Sequence, residues 1–376
     1  MDEILPTIEE LHSMASGLTG LSDFGPPDYL AGLEMILYSY RHEAALTPAG
    51  VQMARQELLA ILMARLFSEA GWQRYPEYEQ VPIERPVFII GPPRTGTTTL
   101  HRLLTADPAH QGMELWLAYA PQPRPPRSRW PADPVFQQVR AGTDQFFQQH
   151  PAYRGIHDRS AEGVEECWLL TRQSMLSAYF EFTAHVPSYS AWLAEQDWTE
   201  AYRRHRSNLQ LIGLRDAGRR WVLKSSGHLM CLDALFAAYP DALVVQTHRR
   251  PASTVVGSAC SMASTLSAGQ SLVFRGESIG PELLDLAARA LGRFAQDRAR
   301  HDPARFCDVE FDEFAASPLE VVADIYSRLG EQLTGDVLTA MSAVLTRDER
   351  LRGHRYDIAD FGVSPEQANT RLAALL

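Results

Sequence analysis

Lysine is almost missing from this chain of 376 residues: Lys224 stands alone, and every other member of the Lys+Arg set is arginine. A GC-rich coding bias accounts for the arginines but not for the one lysine that stays, so Lys224 is a position to examine. Cysteine is scarce as well. Cys167, Cys231, Cys260 and Cys307 show no CxxC spacing and no matching histidine pair, which argues against a zinc site or a disulfide framework and for a reducing, cytoplasmic setting. No apolar run reaches the roughly 20 residues of a bilayer-spanning helix, so stable membrane insertion is not expected. The acidic start Met1-Asp2-Glu3 lacks the basic region of a secretory signal. Positive charge is in deficit: 35 Lys+Arg against 46 Asp+Glu leave −11, which disfavours nucleic acid and anionic lipid as partners. Any anion bound must meet a local basic pocket. With 45% hydrophobic and 22% charged residues, the composition is that of an ordinary soluble globular protein.

What is present falls into segments. Residues 1–80 read as a helical region, with Leu30, Leu33, Ile36 and Leu37 on one face and a second helix announced by Thr47-Pro48 and carried by Leu58, Leu59, Leu62 and Leu66. From residue 81 to 376 the grammar changes. Val87-Phe88-Ile89-Ile90, Trp221-Val222-Leu223-Lys224 and Ala242-Leu243-Val244-Val245-Gln246-Thr247 are short apolar runs, each followed by a helical pattern; the helix after the second is expected over His228–Tyr239. Strands alternating with helices predict an α/β fold, a doubly wound parallel sheet flanked by helices. Further helices are expected near 281–301, 317–329 and 333–346, with a strand at 306–309. Between the first and second units, residues 114–218 form a helical insertion rich in aromatics and proline. In a doubly wound sheet such an insertion sits near the carboxyl ends of the strands, and we assign it the acceptor pocket.

The most informative stretch is Gly91-Pro92-Pro93-Arg94-Thr95-Gly96-Thr97-Thr98, between the first apolar strand and a helix. Its frame, G-x-x-x-x-G-x-[ST], converges backbone N–H groups and a helix N-terminus on an anion. An ATPase loop needs lysine after the second glycine; this chain has Thr97 there and carries its cation at Arg94 instead. A magnesium-binding strand ends in aspartate, whereas Val244-Val245-Gln246-Thr247 runs into His248-Arg249-Arg250-Pro251. Two phosphate-seeking clusters at two strand ends point to a nucleotide with phosphates in two places and no obligatory magnesium. A degenerate P-loop kinase or NTPase, and a catalytically silent anion-binding module, are the alternatives.

With these motifs in place the chain resembles the PAPS-dependent sulfotransferases, in particular the bacterial branch related to the tyrosylprotein and glycolipid enzymes; PAPS is 3′-phosphoadenosine 5′-phosphosulfate. The resemblance is carried by Pro93-Arg94-Thr95-Gly96-Thr97-Thr98 with Leu100-His101-Arg102-Leu103-Leu104, by Leu223-Lys224-Ser225 with His228, by Tyr239-Pro240-Asp241-Ala242 leading to His248-Arg249-Arg250-Pro251, and by Tyr356-Asp357-Ile358 with Phe361-Gly362. It implies a P-loop-like fold and transfer of a sulfonyl group from PAPS to a hydroxyl, releasing PAP. Arg94, Thr95, Gly96, Thr97 and Thr98 are then the loop for the 5′-phosphosulfate, Lys224 a ligand of sulfonate and leaving phosphate, and Arg249 with Ser258 the ligands of the 3′-phosphate, although the stretch before Ser258 is one residue longer than usual. The tail around Arg352, His354, Arg355 and Tyr356 resembles the segment that closes over the nucleotide. The chemistry needs a base as well as cations. Glu114 leads for that role, with His157-Asp158 and Glu165-Glu166 as rivals. The aromatic insertion favours a lipid, polyketide, phenol or glycolipid as acceptor. Neither the acceptor's identity nor the oligomeric state is written in the sequence.

Overall fold

The computed structural model describes residues 5–349 and 356–375. The chain opens with three helices, α1 (Ile8–Thr19), α2 (Leu30–His42) and α3 (Pro48–Arg74). The expected start of α3 is present: Thr47 Oγ1 accepts from Gly50 N at 3.0 Å, and Pro48 occupies the first turn, where a missing N–H costs nothing. Buried ionic contacts join these helices to the later insertion. Arg65 donates to the carbonyl of Gln173 at 2.9 Å and to Asp28 at 2.6 Å, and Arg204 reaches Glu69 at 2.6 Å, so these buried guanidinium groups are charge-paired.

The remainder is β1 (Val87–Ile90), α4 (Thr97–Leu104), β2 (His110–Gln111), then α5 (Leu115–Tyr119), α6 (Pro134–Gln149), α7 (Trp168–Thr171), α8 (Pro187–Ala194) and α9 (Thr199–Ile212) of the insertion. After it come β3 (Arg220–Lys224), α10 (Leu232–Ala238), β4 (Leu243–His248), α11 (Ala252–Leu266), α12 (Ile279–Arg298), β5 (Phe306–Glu310), α13 (Phe311–Ala316), α14 (Pro318–Leu329), α15 (Gly335–Glu349) and α16 (Pro365–Leu372). All five strands run parallel in the order β2-β3-β1-β4-β5, with Phe88 opposite Leu223 on one side and Val244 on the other. Strand alternation divides the core. Val87 and Ile89 pack with Val222, Val245, α4 and α14, while Phe88 and Ile90 pack with Leu223, Val244 and the helices of the amino-terminal region and insertion. Helices on both faces explain why β1 is apolar at every position.

Two departures from the sequence reading have local causes. The helix expected over His228–Tyr239 is a 3-10 turn at Ser226–Met230 followed by α10. Ser225 Oγ accepts from Gly227 N at 3.1 Å, which tightens the turn, and His228 turns into the core against Phe88 and Tyr202. Strand β2 is only two residues long and pairs at the sheet edge, too short to leave a periodic signal.

Several histidines are buried without a compensating charge. Burial, with Lys224 nearby, pushes His101 down to about 3; burial alone does the same to His205, and His228 is held well below its ordinary value by burial and by His205. In the unfolded chain all three titrate near 6.5. As pH falls from there toward 5, the unfolded chain takes up protons that the folded chain refuses, so stability drops with falling pH, each group contributing a slope of up to about 1.4 kcal/mol per pH unit. The thermal midpoint should therefore fall steeply between pH 7 and pH 5, above the range where carboxylates protonate. A flat profile across that window would refute this account.

Candidate functional site

Three basic side chains meet at the carboxyl ends of three adjacent strands, where ligands bind in open parallel sheets. Strand β1 ends at Ile90, and from Gly91 the chain turns through a loop into α4. Gly91 is required by close approach: a Cβ there would lie 2.0 Å from Thr247 Oγ1 on β4. Thr95 fixes the loop, donating to Pro92 O at 2.7 Å and exchanging a hydrogen bond with Thr247 Oγ1 at 2.6 Å. Arg94 and Gly96 both adopt positive φ, 68° and 90°. Gly96 tolerates this without steric cost and caps α4, leaving the N–H groups of its first turn without intrahelical partners.

The loop faces a cavity of about 710 Å³ lined by Arg94, Gly96, Thr97, Thr98, Lys224 and Arg249, among others. Arg94 donates from Nη1 to the carbonyl of Ile156 at 3.0 Å, and burial, with Arg249 nearby, lowers its pKa below the usual arginine value. Arg249 lies over the Phe311 ring at 3.9 Å and donates to Arg94 O at 2.7 Å, so it is held against the loop. Lys224, only 3% exposed at the end of β3, reaches Glu166 Oε1 at 2.5 Å and Thr98 Oγ1 at 3.3 Å. Its neighbour Glu165 holds His157 Nε2 at 2.8 Å. Burial alone would raise the Glu165 carboxyl; His157, Lys224 and Arg159 outweigh it and bring it to about 2. One ligand atom each of His157, Glu165 and Glu166 lie within 4.8 Å of one another, spacing suited to a cation, and the Lys224 ammonium already contacts that group.

The structure thus brings Arg94, Gly96, Thr97, Thr98, His157, Lys224 and Arg249 to one cavity wall, and leaves three other sequence candidates off it. Thr95 is buried behind the loop as its pin. Ser258, on α11, is buried with its hydroxyl unpartnered and does not line the cavity. Glu114 is also off the wall: its carboxylate accepts from Arg124 Nε at 3.0 Å, and Arg124 in turn holds Gln111 Oε1 at 2.8 Å and Gly112 O at 2.7 Å. Sharing the buried Arg124 guanidinium with Asp216, Glu114 ties the proline-rich loop to the sheet edge. Sequence reading also missed residues that do line the cavity. Tyr40, Met53 and Glu57 come from the amino-terminal helices, and Asp348 on α15 accepts from Thr99 at 3.0 Å and Arg102 at 2.9 Å. The one available signal was Glu57, an acid set beside the buried Leu58 and Leu59. Of the tail, Tyr356 donates to Thr254 O at 2.6 Å, while Arg352, His354 and Arg355 lie outside the described residues.

The loop yields a stability test. At Gly96 a Cβ would meet a left-handed backbone and the Phe314 ring at 2.9 Å. Gly96→Ala should cost about 1–2 kcal/mol in urea unfolding; an unchanged midpoint would show that the loop relaxes freely.

Comparison with known proteins agrees with this geometry. The sulfotransferase family model matches residues 86–335. The crystal structure of sulfotransferase STF1 from Mycobacterium tuberculosis is 48% identical, covers 99% of this chain and 100% of its own, and superposes with a TM-score of 0.91. Sulfotransferase STF9 from Mycobacterium avium superposes at 0.89, covering 100% of this chain and 96% of its own, at 24% identity, a likeness of fold. No curated protein sequence matches the chain. A P-loop-like parallel sheet, a phosphate loop without the ATPase lysine and a family match over most of the sequence lead to one conclusion: the chain belongs to the sulfotransferase family, enzymes that transfer a sulfonyl group.

Proposed function

We propose that the sulfonyl donor is PAPS, that the acceptor is a hydroxyl on a largely apolar small molecule, lipid, polyketide or glycolipid, and that the enzyme works in the cytoplasm. The observation that carries the reading is the convergence of Arg94, Lys224 and Arg249 on one cavity that also holds a carboxylate, Glu166. The donor set fits: loop amides and Arg94 suit the 5′-phosphosulfate, and Arg249 suits the 3′-phosphate, while Ser258 stays behind the wall. Leu46, Met53, Phe182, Met262 and Leu266, which line the same cavity, suit an apolar acceptor body. Among the described residues no helix is long and apolar enough to cross a membrane, and the four cysteines are free thiols.

In this mechanism Lys224 and Arg94 hold the charge that builds on the bridging and sulfonate oxygens while the sulfur–oxygen bond to phosphate breaks and a bond from the acceptor oxygen to sulfur forms. Arg94 and Lys224 supply the cationic charge, so no metal is needed. We assign the proton to Glu166 rather than Glu114, because Glu166 lies on the cavity and touches Lys224. Glu166 takes the proton of the acceptor hydroxyl, and Lys224 faces the donor from the same contact. His157, engaged by Glu165, orients that strand of carboxylates. The kinase alternative has no lysine after Gly96 and no acid at the end of β4.

PAP without magnesium should raise the thermal midpoint, by an amount corresponding to roughly 2.7 kcal/mol at 100 times its Kd, with little effect from ATP and magnesium. The reverse pattern would return the kinase reading, and turnover-free PAP binding would favour the silent module. Lys224→Ala and Arg94→Ala should each lower kcat by on the order of 10²–10³. Glu166→Gln should lower kcat, while Glu114→Gln acts on stability; wild-type kcat in Glu166→Gln would overturn the base assignment.

A further inference from the structure

The amino-terminal helices bring one acid to the cavity. Glu57, on α3, lines the cavity together with Tyr40, Met53, Tyr179 and Phe182. Its Oε1 takes a hydrogen bond from Arg172 Nη1. Arg172 is 1% exposed, sandwiched by the Tyr119 and Trp168 rings at 5.1 Å each, and Glu57 is the acid that holds its charge. The pair is therefore neutral as a unit. Glu57 Oε2 makes no hydrogen bond among the described residues and is not sealed from the cavity.

We infer that Glu57 selects the acceptor: its second carboxylate oxygen takes a hydrogen bond from an uncharged hydroxyl of the acceptor, remote from the hydroxyl that is sulfonated. The inference rests on the sulfonyl-transfer reading above and adds the substrate class, an apolar body carrying two hydroxyl groups. A cation would meet the Arg172 guanidinium behind the carboxylate, so the neutral pair favours a neutral donor. A wholly apolar acceptor would strip water from Oε2 and return no hydrogen bond, which disfavours it. Tyr40 and Tyr179 stay protonated, their pKa values raised chiefly by burial and further by Glu57, so they add no second negative charge. Selectivity then originates in the amino-terminal helices as well as in the insertion.

The test uses 4-alkylphenols and the same molecules bearing a terminal hydroxyl, with alkyl tethers of about two to eight carbons. Each is titrated calorimetrically into the full chain saturated with PAP, so that binding is read without turnover. At the best tether length the hydroxylated partner should bind about tenfold more tightly than the plain one. The double variant Glu57→Leu/Arg172→Met removes both charges together, which avoids leaving one buried alone. In it the preference should vanish or reverse, with the PAP thermal shift confirming a folded donor site. Equal affinities at every tether in the wild type, or a preference that survives the double variant, would overturn the inference. Should the variant not fold, the wild-type series decides alone. Failure to bind PAP at all would instead overturn the donor reading and this inference with it.

Discussion

The parallel register of β3, β1 and β4 is the constraint on which the site depends. Phe88 is flanked by Leu223 and Val244, so the three strands end at nearly the same level, and the residues just beyond them, the loop from Gly91, Lys224 and Arg249, arrive at one cavity. The close pass of Gly91 by Thr247 and the Thr95–Thr247 hydrogen bond lock the loop to β4. Remove that pin and the amides at the start of α4 lose their common aim.

Charge is then arranged so that each buried cation has a stated counterpart. Lys224 rests on Glu166, Arg124 on Glu114, Arg172 on Glu57 and Arg204 on Glu69. The pairs do different things. Arg124 and Glu114 stitch a loop to an edge strand, Arg204 and Glu69 join two helical layers, and only the Lys224–Glu166 and Arg172–Glu57 pairs have a member on the cavity wall. A buried ion pair is weak evidence of stability, so its position relative to the cavity is what separates the structural ones from those open to ligand.

Much of this was legible in the sequence, for physical reasons. Strands buried on both faces leave continuous apolar runs, which located β1, β3 and β4, and the glycine and threonine spacing of the loop follows from its backbone needs. The lone lysine sits where a cation is wanted. The base was harder, because an acid's role depends on its counter-ion. Glu114 and Glu166 look alike in sequence, yet Arg124, ten residues from the first, and Lys224, fifty-eight residues from the second, determine what each can do. Nothing local announces such pairings. The share of α2 and α3 in the cavity was hidden for the same reason, since Tyr40 and Met53 read as ordinary helix positions until the chain folds back on itself.

That fold-back is built from hydrogen bonds between distant segments: Thr47 N donates to Gln270 O at 2.9 Å and Leu272 N to Ala45 O at 3.0 Å, main chain to main chain, and the Thr47 hydroxyl donates to Gly269 O at 2.6 Å. The cavity is thus lined from separate sources: the strand ends, the insertion, and the amino-terminal helices with the α11–α12 connection. Because two of those links join backbone to backbone, an exposed side chain such as Met53 can be exchanged without breaking them. Such a division lets natural variation redirect an enzyme to new targets while the transfer machinery stays as it is.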